Sequence, residues 1–256
     1  MRIVLSKPPS NFNPLQSLNL SKGGNSVDTM AFTGDKRLYL GAEAEVWRGS
    51  WMGQPAVRKQ RRLRSWRHPD LDDRLGRRRM IAEARLMVRL YKKGLNIPVL
   101  YDCDVQGQQL VMSNIPGLPL IDLLNDRSLD DSTVLEYLRS AGRSIRMLHR
   151  EAIVHGDLST NNIIITPDGD AVLIDFGLAK IEFETELYGI DLHVLFEILG
   201  ASHPHREDAM EAVLEGYAQC ETELGPAATT PGGDPVAMKD VIERFDLIRT
   251  RVRYHG

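Results

Sequence analysis

The fold class of this chain is decided by two stretches, HGDLSTNNIII (residues 155–165) and VLIDFGLAK (residues 172–180). The first places Asn162 five residues after Asp157, and the second contains an Asp-Phe-Gly triplet that begins at Asp175. Phosphoryl transfer needs a carboxylate that orients the nucleophile, and oxygen groups that hold a divalent metal against the terminal phosphates. We therefore predict that Asp157 is the base or water-orienting group, and that Asn162 and Asp175 are metal ligands.

The predicted cofactors are ATP and Mg²⁺. Magnesium is a hard cation that prefers oxygen ligands and keeps several of its waters, which fits two protein oxygens. Either motif alone would be weak evidence, but the two together, separated by short apolar strands, indicate a nucleotide-phosphate site.

The partner for the phosphates is expected upstream, where Lys59 ends the strand-like segment AVRK and Glu83 lies on a basic helix. A lysine on the α- and β-phosphates, held by a helix glutamate, is the usual arrangement in this fold. Strand alternation places Val57 and Lys59 on one face and Arg58 on the other. Val57 is then predicted to line the adenine pocket. Arg58 is the alternative phosphate ligand, and the motif match favours Lys59.

The segment LGAEAEV (residues 40–46) stands one hairpin before Lys59, where a glycine-rich phosphate loop is expected. It has a single glycine and does not match the pattern G-x-G-x-x-G, so its sequence alone indicates only a hairpin turn. Its position favours a nucleotide lid. The predicted nucleotide-binding residues of this lid are Gly41, Ala42, Glu43 and Val46.

Three departures separate the chain from most protein kinases. Ser159 stands where many of them carry a lysine that contacts the transferring phosphate, so slower transfer is expected. Only 16 residues separate Asp175 from Asp191, and no Ala-Pro-Glu triplet follows Asp175, so a full activation loop does not fit. Gly156 replaces an arginine that could bind an activation-loop phosphate. These features argue against regulated peptide phosphorylation.

The segment pattern predicts an α+β fold, namely a minimal bilobal protein-kinase-like domain with a strand-rich N-lobe and a reduced helical C-lobe. A Pro-Gly pair at residues 116–117 is the predicted hinge, and Asp131 or Ser132 is the predicted cap of the first long C-lobe helix. The predicted boundaries are a disordered tail at 1–35, the N-lobe at 36–116 and the C-lobe at 117–256.

Composition is that of a globular protein, with 42% hydrophobic and 26% charged residues. No apolar run reaches the roughly 20 residues of a membrane helix, and the two cysteines suggest buried thiols rather than a disulfide framework. We expect a cytoplasmic or nuclear protein. The block from Arg58 to Lys93 carries 14 Lys and Arg against 4 Asp and Glu. It is either a solvated helix face or a surface for polyanions.

Several segments together resemble the small atypical kinase/ATPase subunit of the KEOPS (EKC) complex, the PRPK family related to the RIO kinases. The segments are GAEAEVWRG, AVRKQRRLRSWRHPDLDDRL, GRRRMIAEARLM, HGDLSTNN, IDFGLAK and DLHVL. The resemblance implies partnership with the tRNA threonylcarbamoyltransferase catalytic subunit, tRNA contact through that complex, and ATP hydrolysis that supports formation of threonylcarbamoyladenosine. It also implies that Asp191 braces the catalytic loop. The nucleotide-binding residues that it implies at the hinge are Met112, Ser113 and Ile115.

Two other functions remain open from the residues. A small-molecule phosphotransferase of the aminoglycoside-kinase type also uses His-Gly-Asp with Asn five residues later, but it normally has a larger helical C-lobe. A non-catalytic scaffold that binds nucleotide is the other, because the lysine expected at Ser159 is missing. Retention of all five predicted phosphate-site residues argues against the scaffold.

Overall fold

A computed structural model describes residues 2–4, 32–41, 44–62 and 68–252 of the chain. The chain divides into two compact units, Met1–Ala84 with Val99–Asn114 and Arg85–Pro98 with Ile115–Gly256. The first unit is rich in strands and the second in helices, as predicted for the two lobes of a minimal kinase-like α+β fold.

The first unit contains a six-stranded antiparallel sheet with the strand order β1-β5-β6-β4-β3-β2. The elements are β1 (Arg2–Val4), β2 (Phe32–Leu40), β3 (Ala44–Trp51), β4 (Gln54–Arg61), helix α1 (Pro69–Lys92), β5 (Leu100–Asp104) and β6 (Gln109–Ser113).

The β3–β4 hairpin turns at Met52 and Gly53. Both residues have positive φ angles, 50° and 76°. Two left-handed residues in a row match the right-handed twist of the flanking strands, which is why such loops close tight hairpins. The turn fixes the pairing of β3 with β4, and with it the position of Lys59 opposite Val46.

Strand β2 is one edge of the sheet, and its residues from Thr33 to Leu40 are exposed. Its pairing with β3 is irregular, since the register shifts between Gly34 and Lys36 and again between Arg37 and Tyr39. Such bulges bend a strand and increase its local twist.

The structure differs from the sequence prediction at the N-terminus. Strand β1 lies within the segment expected to be a disordered tail, and it pairs with β5 along the other edge of the sheet. Strand β2 begins at Phe32, before the predicted lobe boundary at residue 36. Residues 5–31 of the predicted tail lie outside the described residues.

The second unit contains a three-stranded sheet of order β10-β9-β7, a β11-β8 pair, and the remaining helices. The elements are β7 (Leu118–Pro119), α2 (Leu120–Asn125), α3 (Asp131–His149), β8 (Ile153–Val154), a 3₁₀ helix (Thr160–Asn162), β9 (Ile163–Ile165), β10 (Ala171–Leu173), β11 (Lys180–Ile181), α4 (Thr185–Ser202), α5 (Ala209–Leu224) and α6 (Met238–Val252).

Helix α3 begins one residue earlier than a cap at Asp131 would allow, and two residues earlier than a cap at Ser132. Its N-cap is Asp130, whose carboxylate accepts the Thr133 N–H at 2.9 Å. An Asp at this position satisfies a backbone donor that has no partner inside the helix. Along this helix Leu138, Ile145 and Leu148 are buried, whereas Leu135 is only partly buried. Burial of each such side chain contributes roughly 1.5–3 kcal/mol.

Candidate active site

One face of the first unit's sheet carries four of the predicted nucleotide-binding side chains. Val46 lies opposite Lys59, and Met112 lies opposite Val57. Directly paired residues share a face, and so do residues two apart on one strand. Val46, Val57, Lys59 and Met112 therefore lie on the same side, as the alternation of β4 predicted, while Arg58 lies on the opposite side.

The predicted ion pair of this face is formed. Lys59 Nζ lies 2.9 Å from Glu83 Oε1, and the two side chains are 18% and 7% exposed. Glu83 comes from the middle of α1, so the contact joins the helix to strand β4. Holding the ammonium at a fixed position next to an apolar face suits a group that binds phosphate as a point charge.

The predicted lid is described only at its ends. Gly41 donates its N–H to Ala44 O at 2.9 Å, and Arg62 donates to Gly41 O at the same distance. Ala42 and Glu43 lie outside the described residues. The bond from Gly41 to Ala44 extends the pairing of β2 with β3 by one step, and the nucleotide-binding role of the segment stays a prediction.

At the predicted hinge, Ser113 already uses two of its hydrogen-bonding groups within the fold. Its N–H donates to Val99 O at 2.8 Å, and its side-chain Oγ accepts the Val99 N–H at 2.9 Å. The Ser113 N–H is therefore used within the fold, and a contact between Ser113 and adenine stays a prediction. Ile115 belongs to the second unit, and its adenine contact also stays a prediction.

In the second unit, Asp157 and Asn162 are joined directly. Asn162 donates its amide Nδ2–H to Asp157 O at 2.9 Å and to Asp157 Oδ2 at 3.1 Å. The intervening residues form the 3₁₀ helix that folds Asn162 back onto the loop. Because both bonds use the amide nitrogen, the amide oxygen is left as the group that can face a cation.

Asp175 is brought next to Asn162 by the β9–β10 pairing, since the preceding residue, Ile174, donates its N–H to Asn162 O at 3.0 Å. Asp175 itself has a left-handed backbone with φ 61°, and its Oδ1 accepts the Gly177 N–H at 3.2 Å. Strained backbone of this kind concentrates at functional sites. An amide oxygen and a carboxylate side by side are a donor set that fits Mg²⁺.

The predicted catalytic loop, residues 155–162, is held in place by Asp191 of α4. Its Oδ2 accepts the His155 N–H at 2.5 Å and its Oδ1 accepts the Gly156 N–H at 2.8 Å. Burial would raise the pKa of Asp191, but the hydrogen bonds from the His149 side chain and the His155 backbone help to outweigh burial, and the pKa lies below its ordinary value. The carboxylate therefore stays ionised, and it fixes the backbone on which Asp157 stands.

The structure explains why a glycine stands at position 156, which the sequence alone did not reveal. Its φ is 77°, and a Cβ at this position would lie 2.7 Å from the carbonyl oxygen of Leu178. Leu178 belongs to the short segment after the Asp-Phe-Gly triplet, whose strand β11 pairs with β8. Glycine lets this segment pack against the catalytic loop, in addition to removing the arginine that most protein kinases carry there.

Behind Asp191 lies a buried polar chain that sequence reasoning missed. His149 Nε2 lies 3.4 Å from Asp191 Oδ2, and its Nδ1 lies 2.8 Å from Tyr217 Oη. Arg146, fully buried, donates to Tyr217 Oη at 3.4 Å and to Glu221 at 2.9 Å. Burial lowers the pKa of His149, so it is neutral and bridges α5 to Asp191. No motif marks these residues, and the two helices that carry them, α3 and α5, are far apart in the chain.

Comparison with known proteins identifies the class to which this fold and site belong. The model of one family, the RIO domain, matches residues 55–183, which is about half of the chain and includes Lys59, Glu83, Asp157, Asn162 and Asp175. The chain is therefore a RIO-type, kinase-like protein.

Similarity to individual proteins is more specific. The EKC/KEOPS complex subunit Tp53rkb of Mus musculus is 34% identical over 220 residues, covering 83% of this chain and 84% of the mouse protein. The KEOPS complex subunit Bud32 of Pyrococcus abyssi is 34% identical over 195 residues, covering 73% and 87%. The chain belongs to this family of KEOPS atypical kinase subunits.

A third relative is larger than this chain. The probable bifunctional tRNA threonylcarbamoyladenosine biosynthesis protein of Methanothermobacter thermautotrophicus is 38% identical over 183 residues, which cover 71% of this chain and 33% of that protein. In that relative, a segment similar to this chain is joined to further sequence.

No helix in the described part of the chain combines the length and the apolar character that crossing a membrane requires.

Proposed function

We propose that the chain binds Mg-ATP and transfers its γ-phosphoryl group, chiefly to water, as the kinase-like subunit of a KEOPS complex. The observation that carries the proposal is the array in the second unit, where Asn162 holds Asp157 by two bonds and the β9–β10 ladder brings Asp175 beside it. The Lys59–Glu83 ion pair of the first unit supports the same function.

Each side chain of the proposed site would have a separate role in phosphoryl transfer. Lys59, fixed by Glu83, would bind the α- and β-phosphates and offset their charge. Asn162 and Asp175 would hold Mg²⁺, which would offset the negative charge that develops on the phosphates. Asp157 would accept a hydrogen bond from the attacking water and orient it. Positioning of this kind accounts for much of the rate in phosphoryl transfer, because little covalent chemistry is asked of the protein.

The acceptor follows from what surrounds the catalytic loop. Ser159 supplies no positive charge to the transferring group, and the segment after Asp175 is too short for a peptide-docking platform. Water needs no platform, so we infer that hydrolysis dominates. A serine or threonine hydroxyl delivered by a partner would meet the same Asp157, which makes Ser/Thr phosphorylation the second activity to measure.

The names of the relatives support the setting of this activity. Two are subunits of the KEOPS complex, and one is a probable tRNA threonylcarbamoyladenosine biosynthesis protein. We infer that this chain partners the tRNA threonylcarbamoyltransferase catalytic subunit in the cytoplasm or nucleus, and that its use of ATP supports the modification of tRNA.

Helix α1 offers a surface for tRNA. Arg74 and Arg78 are exposed and lie one turn apart. Arg77, which lies between them in the sequence, is half-buried and pairs with Asp73 at 2.8 Å. We infer that Arg74 and Arg78 contact the tRNA backbone, and that Arg77 serves the fold.

The decisive experiment measures release of phosphate and labelling of protein from ATP, with and without the partner catalytic subunit and tRNA. Asp157→Ala and Asp175→Ala should abolish turnover, and Asp175→Ala should also weaken binding of Mg-nucleotide. Asp168→Ala, at an exposed turn outside the site, is the matched control. Hydrolysis that survives in the Asp157 variant would refute the assignment, and robust turnover on an aminoglycoside would assign the chain to another class.

A further inference from the structure

The turn between β5 and β6 contains a residue whose geometry the proposed chemistry does not explain. Gln108 has a left-handed backbone, φ 50°, and is 7% exposed. Left-handed backbone is uncommon outside glycine, asparagine and aspartate, and it persists where surrounding contacts hold it. Here Asp104 Oδ1 accepts the N–H groups of Gln106 and Gly107 at 3.0 and 3.1 Å, which shapes the turn that presents Gln108.

The side chain of Gln108 reaches helix α1. Its Nε2 donates to Asp73 Oδ1 at 2.7 Å, and the other oxygen of Asp73 accepts from Arg77 at 2.8 Å. On the strand side, the Gln108 carbonyl accepts the Arg61 N–H at 3.0 Å. Gln108 is thus bonded to the end of β4 through its backbone and to the first turns of α1 through its side chain.

Gly76 provides the space for this contact. It is buried on the face of α1 towards the turn, and a Cβ there would collide with Oε1 of Gln108 and lie 2.7 Å from Nε of Arg61. A glycine in the interior of a helix is unfavourable relative to alanine. Its presence here is explained by the close approach of helix and turn.

Helix α1 is therefore joined to β4 and its neighbour β6 at two places. One is the Lys59–Glu83 pair, and the other is the Gln108–Asp73 bond. Lys59 is paired with Leu110, two residues beyond Gln108 on the same ladder. Asp73 and Glu83 are ten residues apart, about 15 Å along the helix axis. A helix attached to the sheet at one point can pivot about that point, whereas a second attachment this far along the helix restricts both its rotation and its sliding.

We propose that Gln108 is a positioning residue for nucleotide binding, and that its bond to Asp73 sets helix α1 so that Glu83 holds Lys59 towards the phosphates. The inference rests on the proposed function of Lys59. It gives the chain a built-in means of fixing this helix, one that needs no phosphorylated activation loop.

The test compares Gln108→Ala with Gln106→Ala, an exposed position in the same turn. Affinity for a fluorescent Mg-ATP analogue is measured by titration, and hydrogen exchange is measured along α1. We expect the Gln108 variant to bind the nucleotide roughly 5- to 10-fold more weakly, because apparent affinity falls with the fraction of competent molecules. Exchange in the first turns of α1 should rise, and the Gln106 variant should match the wild type.

Two further variants separate positioning from general destabilisation. Gly76→Ala favours the helix intrinsically, yet it should weaken nucleotide binding because its Cβ displaces the Gln108 side chain. Gln108→Glu places a second carboxylate next to Asp73, so the bond is lost. Adding Asp73→Asn restores a bond in the opposite direction, because the asparagine amide can donate to the new glutamate. Recovery of affinity in that double variant supports the proposal.

The inference and the proposed function fail in different ways. Wild-type protein that binds no Mg-nucleotide overturns the proposed function, and hydrogen exchange then decides whether Gln108 still restrains α1. Wild-type protein that binds nucleotide, with unchanged affinity in Gln108→Ala and Gly76→Ala, overturns the inference alone. In combination with Glu83→Ala, Gln108→Ala should add little, since both act through Lys59. Effects that multiply would contradict the proposed route.

Discussion

Asp191→Asn separates the support of the catalytic loop from its chemistry. The carboxylate, 3% exposed, accepts the backbone N–H groups of His155 and Gly156 through its two oxygens. An asparagine keeps one acceptor and turns an NH₂ group towards the other N–H. A hydrogen bond to a charged group contributes about 1.5–3 kcal/mol, and a buried donor left without an acceptor costs about 1–3 kcal/mol more.

The expected loss is therefore about 2–4 kcal/mol, after the local relaxation that reduces such sums. For a chain of this size Tm shifts by about 2–4 °C for each kcal/mol, so a fall of roughly 5–15 °C is expected in differential scanning calorimetry. Turnover should fall about 100-fold at temperatures where the variant is folded, the usual effect of a misplacement near 1 Å.

Asp157→Asn is the matched control, because Asp157 is exposed and its carboxylate accepts from Asn162 of its own loop rather than from a distant part of the fold. It should abolish turnover and leave Tm unchanged. The explanation of Asp191 as a brace would be refuted if Asp191→Asn kept the wild-type Tm and turnover, or if it lost turnover with no effect on hydrogen exchange of the loop.

Three other expectations concern separate parts of the molecule. Lys59→Met should cost about 3 kcal/mol by removing the ammonium that pairs with the buried Glu83 carboxylate, whereas the double change with Glu83→Leu should recover stability in urea unfolding without recovering nucleotide binding. Burial, and then the charges of nearby groups, lower the pKa of His203. The unfolded chain thus takes up a proton below about pH 6.5 that the native side chain does not, and stability should decline as pH falls through this range and decline less in His203→Leu. Neutralising Arg74 and Arg78 should weaken binding to tRNA, and the slope of log affinity against log salt concentration should fall by roughly 1 for each phosphate that is no longer neutralised. An unaltered slope would show that this helix face is an ordinary solvated surface.

The phosphate site could be predicted in outline because chemistry restricts which residues can do the work and how far apart they stand. Asp157, Asn162 and Asp175 are identified by their spacing. Lys59 is identified by strand alternation, and Glu83 by its place on the helix that follows. The structure brings each of these two sets together within its own unit. The binding roles assigned to them stay predictions until nucleotide is tested.

Other features could not be predicted because their signals are weak or distributed. Gln108 and Asp73 are 35 residues apart, and nothing in the sequence of either segment indicates their bond. The buried chain behind Asp191 likewise depends on how α3 and α5 pack. The cap of α3 was placed one or two residues late because adjacent Asp and Ser residues at 130–132 are chemically equivalent as caps until backbone geometry selects one.

The irregular pairing of β2 has a consequence for handling the protein in isolation. A nine-residue edge strand that ends in three exposed apolar residues, Leu38, Tyr39 and Leu40, could serve as a template for a second molecule. The register shifts and the adjacent Lys36 and Arg37 oppose this, because a bent, positively charged edge pairs poorly with another copy of itself. Substitutions that regularise or neutralise this strand should therefore favour aggregation during expression, even where they leave the fold and the nucleotide site unchanged.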